Sequence, residues 1–405
     1  MPGGPGKGPP ARSKCTRLPA PIQSAKLHET KPSSNLRHRS STACKPTPLE
    51  WLPINRSIWH HAVGPTPDSV NGIDQSVWVL GTEQARRGHR VTFLTGGSPE
   101  EMTEARARGI RLLPTTNAFG EVPPDLLHMH SVFLPSQVKL AVWAIRHSVP
   151  YVITPHGGVA PEVLRRGRLK KTTYSALLER PRFRWAAAVT AVLEPEQREI
   201  RDFIGHDRPS AFVIPNAMED APAEVPIITC EDVVFLGRFD TLHKGIDRLA
   251  DYAADMPDVT FGVYGHPSDR ARDALPDFPG NVMLRDPVYG QEKWSVLRSA
   301  AVYLQLSRWE AFGRSVFEAM MVGTPPIVSR EMHVAPLVQS WGGLVVDASR
   351  PADWTERVRA LIDSRASRTP FEDMAKSASS LTQAEKVADQ FDSAYEAVLS
   401  RARNK

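Results

Sequence analysis

The sequence predicts an α/β protein in which two Rossmann-like, doubly wound domains face a cleft, preceded by a disordered N-terminal tail. Two observations favour this fold class. Short apolar runs alternate with stretches of helical periodicity, which is typical of a parallel sheet covered on both faces. The chain also has 405 residues, which is more than one core usually holds and suits two domains of ordinary size.

We expect four segments along the chain. Residues 1–50 form the tail, residues 51–217 the first domain, residues 218–380 the second domain, and residues 381–405 a C-terminal helix. The stretch DAPAEVP at 220–226 has the composition of a linker. The domain boundary and the opening of the cleft are therefore expected there.

The net positive charge of the chain comes from the tail. Residues 1–50 contain nine Lys or Arg and two Glu, a net charge of +7, and because the whole chain carries +5, residues 51–405 carry −2. The sequence pI of about 9.1 therefore does not predict a nucleic-acid partner for the folded part. The tail is rich in Pro, Gly and Ser without periodicity, so we expect it to be disordered; a transit peptide and a start site placed too far upstream both stay open.

Composition predicts a soluble, globular, cytoplasmic protein. The chain is 41% hydrophobic and 23% charged, and no apolar run approaches the roughly 18 residues of a membrane span. Its three cysteines, Cys15, Cys44 and Cys230, lack the spacing of a metal or redox site, which fits a reducing compartment.

The strands are predicted from the short apolar runs. In the first half they are 58–63, 91–95, 126–130, 151–154, 187–192 and 211–214. In the second half they are 233–236, 260–264, 282–284, 302–306, 327–329 and 344–346. Amphipathic helices are predicted over 73–87, 245–256 and 383–399.

The most informative segment is SRWEAFGRSVFEAMMVGTPPIVS at 307–329, where Glu310 and Glu318 stand eight residues apart around the start of a helix. Gly313 lets backbone N–H groups approach a ligand, and the first turn of the helix favours an anion such as phosphate. Glu310 in the loop can accept hydrogen bonds from sugar hydroxyls, and Glu318 on the helix can hold the two hydroxyls of a ribose. This pattern predicts a nucleotide-sugar site.

The segment resembles the E-x7-E signature of the family 4 retaining glycosyltransferases, which have the two-domain GT-B fold. VVFLGRFDTLHKGIDRLADYA at 233–253 resembles the family's strand, GR turn and KG-initiated helix. VITPHGG at 152–158, AFVIPNAME at 211–219 and SVNGIDQSVWVLGTEQARRGHRVTFLT at 69–95 resemble segments of the first domain. The likeness runs from about residue 56 to 365 and implies that the C-terminal helix returns to the first domain.

The resemblance also implies roles for individual residues. Arg238 and Lys244 would grip the donor diphosphate, and His156 would reach the donor sugar. The catalytic candidates are His156, Arg238, Lys244 and Glu310. The donor-binding candidates are Gly72, Arg238, Lys244, Glu310, Ala311, Phe312, Gly313, Arg314, Ser315 and Glu318.

Three departures from the family pattern affect these roles. Asn71 and Gly72 stand where two glycines are common, so the loop glycine Gly72 is less certain as a site for phosphate or acceptor. Arg314 replaces a common apolar residue and could touch phosphate or an acidic acceptor, or face solvent. IPNAME replaces the commoner IPNG, which makes Asn216 a weak site candidate.

The chemistry expected is metal-independent transfer with retention, without a cofactor, from a nucleotide-diphosphate sugar. No Asp-x-Asp is present, so cations must stabilise the departing diphosphate. The resemblance implies a glycan or polyprenyl-linked glycan acceptor, of the exopolysaccharide or cell-surface polysaccharide type. An anionic membrane surface is a further candidate partner, on the inner face of the cytoplasmic membrane.

Other functions fit less well. A glycoside hydrolase would need two carboxyl groups about 5 to 5.5 Å apart and has no use for Arg238 and Lys244. A dehydrogenase lacks its G-x-G-x-x-G, and a P-loop enzyme lacks its G-x-x-x-x-G-K-[ST]. A non-catalytic sugar-nucleotide binder or scaffold with the same fold stays open as the alternative.

Two further clusters have competing interpretations. His128 and His130 alternate onto one face of a strand, but without a third ligand at a suitable spacing they favour core or cleft wall over a metal site. The basic stretch at 163–171, continued by Arg180, Arg182 and Arg184, is either a solvated helix face or a docking site for anionic lipid.

Overall fold

The computed structural model describes residues 55–66, 69–165, 168–205, 209–228, 230–267, 275–348, 354–364 and 369–403. The predicted tail, residues 1–50, lies outside the described residues. Among those that are described, no helix combines the length and the apolar character needed to cross a lipid bilayer.

Strands within the described residues form two sheets. The strands of the first sheet are β1 Ser57–His61, β2 Arg90–Phe93, β3 Ile110–Leu112, β4 Leu126–His130, β5 Tyr151–Thr154, β6 Ala188–Ala191 and β7 Ser210–Val213. Those of the second sheet are β8 Val233–Leu236, β9 Phe261–Tyr264, β10 Val282–Arg285, β11 Val302–Gln305, β12 Pro326–Ser329 and β13 Leu344–Val346.

The helices connect and cover these strands. Those that accompany the first sheet are α1 Gly72–Arg86, α2 Pro99–Ala107, α3 Pro135–Arg146, α4 Pro161–Arg165, α5 Arg168–Tyr174, α6 Arg180–Trp185 and α7 Glu194–Ile204, with a π-helical turn at Ser175–Glu179. Those that follow β8 are α8 Ile246–Ala254, α9 Gly290–Ser299, α10 Arg314–Met321, α11 Ala335–Ser340, α12 Thr355–Asp363, α13 Glu372–Thr382 and α14 Ala384–Arg403.

Both sheets have the same doubly wound topology. The first sheet has the order β3-β2-β1-β4-β5-β6-β7 and the second the order β10-β9-β8-β11-β12-β13, with parallel pairing between all neighbours. The strand order reverses between β1 and β4 in one sheet and between β8 and β11 in the other. Ligands of such sheets bind at the carboxyl ends of the strands at these reversal points. The predicted fold class is confirmed.

The twelve predicted strands are all present, with ends that shift by at most two residues. Strand β3 was missed because it has only three residues, Ile110–Leu112, at the edge of the sheet, and its outward residue is exposed. Helix α8 begins at Ile246 instead of the predicted residue 245, because Gly245 has a left-handed backbone that cannot continue a helix. Gly72 is the first residue of α1, after the N-cap Asn71, and not a loop residue as predicted.

Helix α14 completes the core of the first sheet, although it follows all strands of the second sheet. Val387, Phe391, Tyr395 and Val398 pack with Ile58 and other buried residues of that sheet. These four side chains lie three or four positions apart, so they share one face of the helix. One side of the first sheet is therefore covered by residues from the far end of the chain.

Candidate functional site

The loop that follows β8, residues 237–245, carries both predicted diphosphate-binding cations. A Cβ at its last residue, Gly245, would lie 2.1 Å from the carbonyl oxygen of Leu306, and the φ angle of Gly245 is +66°. Only glycine lets the loop pass so close to the end of β11. This approach brings Lys244 to Glu310, and the lysine Nζ donates a hydrogen bond to the glutamate Oε2.

Glu310 is held as a carboxylate. Burial raises the pKa of Glu310, but the charges of Lys244 and His243 lower it by more, so the net shift is downward. Gln305 Nε2 also donates to Glu310 Oε2, at 3.2 Å. The second oxygen, Oε1, accepts no hydrogen bond from the residues that the structure describes, so it can accept one from a ligand hydroxyl.

Arg238 lies at the start of the same loop and is exposed. Within the described part of the chain its guanidinium has no hydrogen-bond or ion-pair partner. Its charge is one of those that lower the pKa of Glu310, so the field of Arg238 reaches that carboxylate. A ligand can therefore pair with Arg238 without first breaking a hydrogen bond or ion pair between its guanidinium and the described residues.

Glu318 on α10 is buried and paired with two cations. Lys293 Nζ lies 2.9 Å and an Arg314 guanidinium nitrogen 3.7 Å from the same carboxylate oxygen, Oε1. Oε2 makes no hydrogen bond to any described residue, so a ribose hydroxyl could donate to it. The prediction that Glu318 holds a ribose stays a prediction.

Arg314 connects the two halves of the molecule at the N-terminal ends of α1 and α10. Its side chain is 13% exposed, which excludes the solvent-facing alternative. It donates to Ser76 Oγ at 2.8 Å and to the carbonyl of Ala217 at 3.3 Å. A Cβ at Gly72 would lie 2.9 Å from the Arg314 Cδ, so glycine makes room for this side chain.

The segment between the two glutamates offers mainly backbone groups. Ala311 and Phe312 are buried, and Gly313, at φ +78°, is the N-cap of α10 and makes no side-chain cap. The Ser315 Oγ hydrogen-bonds to the Tyr303 hydroxyl at 2.7 Å. The sequence predicted that an anion would bind at the first turn of this helix. The free N–H groups at the first turn of α10 are the donors for such an anion.

The loop that follows β5, called here the HGG loop (residues 155–160), faces Ala311. His156 has φ +51° and Gly157 φ +78°, and a Cβ at Gly157 would lie 2.7 Å from the Ala311 Cβ. Buried Glu196 accepts the N–H of Gly157 and, at 2.7 Å, that of Val192. Burial raises the pKa of Glu196 to about 7, although these two hydrogen bonds lower it. The left-handed backbone of His156 costs free energy because the residue is not glycine, and such strain concentrates at functional sites.

A second link joins the halves. His333 Nε2 lies 3.0 Å from the Glu199 carboxylate on α7, and the His333 backbone N–H donates to the carbonyl of Glu310 at 2.9 Å. Burial lowers the pKa of His333, but Glu199 raises it by more. Helix α7 is thereby tied to the loop that carries Glu310.

Four histidines lie at the carboxyl ends of the first-sheet strands, where the strand order reverses. Nitrogens of His60, His128 and His130 lie within 4.8 Å of one another, close enough to share a metal ion, so the structure adds a third candidate ligand that spacing along the sequence did not indicate. His60 was missed because it is on β1, distant in sequence. Burial lowers the pKa of His60 to about 4 and that of His156 to about 3, so these imidazoles are neutral.

The basic stretch is less positive at its surface than its sequence implies. Arg182 is 1% exposed in its side chain and pairs with the fully buried Glu179, so it belongs neither to a solvated face nor to a lipid-docking site. Lys171 Nζ donates to a backbone carbonyl at 2.7 Å. Arg180 and Arg184 remain exposed.

Several residues around the site were not predicted. Gln305 could have been found, because it is a polar residue in the buried run VYLQLS. Lys293, Ser76 and His60 could not, because each meets its partner only through contacts between distant segments.

Comparisons with known proteins agree with this architecture. The model of Glycosyltransferase Family 4 matches residues 70–221, and the model of Glycosyl transferases group 1 matches residues 227–378. No curated protein matches the chain at a significant level.

Solved structures with the same fold cover most of the chain. Sucrose-phosphate synthase of Thermosynechococcus elongatus is 19% identical over 86% of this chain and 100% of its own, with a TM-score of 0.66. HepE of Anabaena, solved with UDP and glucose, is 16% identical over 85% of this chain and 100% of its own, with a TM-score of 0.67. A glycosyltransferase of Rickettsia africae is 12% identical over 85% of this chain and 99% of its own, with a TM-score of 0.63.

The two family models meet at residues 221–227 and together match most of the chain. The two doubly wound sheets are those of GT-B glycosyltransferases. The chain therefore belongs to the family 4 glycosyltransferases, with the GT-B fold and a group 1 second half.

Proposed function

We propose that the chain is a retaining, metal-independent hexosyltransferase that moves a sugar from a nucleotide-diphosphate sugar to a glycan or lipid-linked glycan. The observation that carries the proposal is the pairing of Lys244 with Glu310 in the loop before α10, with the charge of Arg238 acting on the same carboxylate. Two cations and free backbone donors suit a diphosphate, and a partly buried carboxylate with an open oxygen suits sugar hydroxyls.

The mechanism assigns each group one task. Arg238, Lys244 and the first turn of α10 stabilise the charge that develops on the departing diphosphate, and no residue has to hold a metal ion for this. The bond from the anomeric carbon to the diphosphate oxygen breaks, and a bond to the acceptor oxygen forms on the same face. The acceptor proton passes to the leaving phosphate. Glu310 orients the sugar and does not attack it.

The carboxylates argue against a glycoside hydrolase. A hydrolase needs one carboxyl group that stays protonated at neutral pH to donate to the leaving oxygen. The lowered pKa of Glu310 opposes that role, and Glu318 is already ion-paired with Lys293 and lies beside Arg314.

A thermal-shift panel tests the donor. We expect one of UDP, GDP, ADP or their sugar conjugates to raise the melting temperature of the wild type, because a ligand that binds only the folded state stabilises it. Arg238→Ala should lose most of that shift. If no nucleotide stabilises the wild type, the proposal is wrong. Stabilisation without transfer to any glycan acceptor would favour the non-catalytic alternative.

We further propose that the enzyme acts in polysaccharide biosynthesis at the cytoplasmic face of a membrane. Trp185, at the end of α6, is 68% exposed, Leu177, in the preceding π-helical turn, is 69% exposed, and Arg180 and Arg184 between them in the sequence are exposed as well. Aromatic and basic residues together suit a surface of anionic lipid, where a polyprenyl-linked acceptor would be held.

Sedimentation with vesicles tests this surface. We expect the wild type to sediment with phosphatidylglycerol vesicles more than with phosphatidylcholine vesicles, and a Trp185→Ala/Leu177→Ala variant to lose most of that binding. The matched control, Leu284→Ala/Tyr289→Ala, removes side chains that are 48% and 55% exposed in the other half of the chain. Equal binding of all three proteins would contradict the proposal.

A further inference from the structure

The histidines at the end of the first sheet form a chain of hydrogen bonds that ends at His156. Gln84 Oε1 lies 2.8 Å from His60 Nε2, and His60 Nδ1 lies 3.0 Å from His130 Nε2. His130 Nδ1 lies 3.1 Å from His156 Nε2. The chain thus runs from α1 across β1 and β4 to the HGG loop.

Each link of this chain fixes the direction of the next. An amide oxygen can only accept a hydrogen bond. Nε2 of His60 must therefore carry the hydrogen of the N–H group that donates to Gln84 Oε1. A neutral imidazole has one N–H, so Nδ1 of His60 accepts from His130 Nε2, and Nδ1 of His130 accepts from His156 Nε2. His156 then carries its proton on Nε2 and a lone pair on Nδ1.

The rings are neutral because water does not reach them. His60 is 0% and His130 2% exposed, and no carboxylate pairs with either ring within the described residues. Nδ1 of His156 is buried and meets no described residue at hydrogen-bond geometry, although the polar side chain of Asn216 lies near the imidazole. Its lone pair is therefore unsatisfied in the free protein, and a donor group of a bound ligand would satisfy it.

We infer that Gln84, His60 and His130 are positioning residues that fix His156 as a hydrogen-bond acceptor at Nδ1 for a hydroxyl of the donor sugar. The inference rests on the proposed function for the identity of the ligand, but the tautomer of His156 is a property of the protein alone. A hydroxyl donates to this lone pair, whereas the opposite tautomer would present an N–H there.

Hydrogen bonding explains the cluster better than a shared metal ion does. The separation of 3.0 Å between His60 Nδ1 and His130 Nε2 is a hydrogen-bond distance. Two histidines on one tetrahedral zinc, at about 2.1 Å each, would hold their nitrogens about 3.4 Å apart. His128 uses both nitrogens elsewhere, toward the Tyr395 hydroxyl and Thr154 Oγ1, each at 2.7 Å.

Nitrogen NMR of histidine-labelled protein tests the chain without any substrate, because protonated and unprotonated ring nitrogens have well-separated shifts. We expect His156 of the wild type to be the Nε2–H tautomer. Gln84→Met and His60→Phe should populate both tautomers, because each removes an acceptor on which the direction depends. Gln84→Met preserves side-chain volume, so it still tests the chain of hydrogen bonds if His60→Phe does not fold.

His128→Phe is the matched control. His128 is as buried as His60 and lies against His130, with ring centroids 3.9 Å apart, but it is outside the chain. The control should keep the wild-type tautomer of His156. The inference is overturned if His156 keeps its wild-type tautomer in both Gln84→Met and His60→Phe. It is also overturned if the tautomer of His156 changes in the control. Zinc that copurifies at one ion per chain overturns it too.

Ligand affinity supplies the functional measurement. For the sugar nucleotide identified by the panel of UDP, GDP and ADP conjugates, Gln84→Met should weaken binding about tenfold, the loss of roughly one net hydrogen bond. Binding of the free nucleotide should not change, because only the sugar reaches His156. Equal weakening of both ligands would contradict the inference. If no nucleotide binds the wild type, the proposed function fails, and the tautomer measurement still decides the chain.

Discussion

Replacing Arg238 with alanine is expected to lower kcat/KM by ~10²- to 10³-fold while the melting temperature of the free protein stays unchanged. The side chain is exposed and has no partner among the described residues, so its removal breaks no contact of the folded state. Its charge has its largest effect when a diphosphate is bound and negative charge grows on that leaving group. Steady-state kinetics with the identified donor, together with a thermal melt, measures both quantities.

The control is Arg357→Ala, which removes an exposed arginine from α12 in the same half of the chain. It should leave both kcat/KM and melting temperature at wild-type values. Wild-type activity in Arg238→Ala, or an equal loss in the control, would show that Arg238 does not stabilise the leaving group.

Lys244→Ala should show a similar loss of activity with a different stability effect. Lys244 is the partner of the partly buried Glu310, so its removal leaves that carboxylate with less compensating charge. We therefore expect a lower melting temperature in this variant as well. Arg238 and Lys244 thus separate the catalytic effect of a cation from its structural effect.

Arg182→Met is expected to destabilise the fold by about 3 to 5 kcal/mol, because it leaves Glu179 charged and buried without its cation. The side chains of the pair are 1% and 0% exposed, and Arg182 Nε donates to Glu179 Oε2 at 3.0 Å. Glu179 Oε1 also accepts the backbone N–H of Phe133 at 3.1 Å, so it supports the loop that follows β4. Urea unfolding measures the loss.

A double variant identifies the cause. Glu179→Gln in the Arg182→Met background removes the unpaired charge and keeps an amide oxygen for the Phe133 N–H, so it should recover much of the lost free energy of unfolding. Arg184→Met, an exposed site on the same helix, should change stability by no more than about 0.5 kcal/mol. A double variant less stable than Arg182→Met alone would contradict this explanation.

Sequence reasoning predicted what is local in the chain. The strands were found because a parallel sheet buried on both faces requires continuous apolar runs, and the Glu310 and Lys244 motifs were found because each lies within one loop and the helix after it. Edge strand β3 was not predicted because it is short and its middle residue is exposed, so it carries little of that pattern.

What the sequence did not predict depends on the meeting of distant segments. His60 and His130 are seventy positions apart, and only the pairing of β1 with β4 brings their rings together. Arg314 and Ser76 meet only because α1 and α10 begin at opposite sides of the same cleft. For the same reason the burial of Arg182 was invisible within a run of basic residues.

The position of α14 has a consequence for synthesis on the ribosome. The apolar face of the first sheet that α14 covers is complete once β7 ends at Val213, but its cover begins only at Ala384. At about 5 to 20 residues per second, the ribosome needs on the order of ten seconds or more to make the intervening chain. During that time the nascent first half exposes an apolar surface around Ile58 and Leu80, which is the kind of surface that chaperones bind.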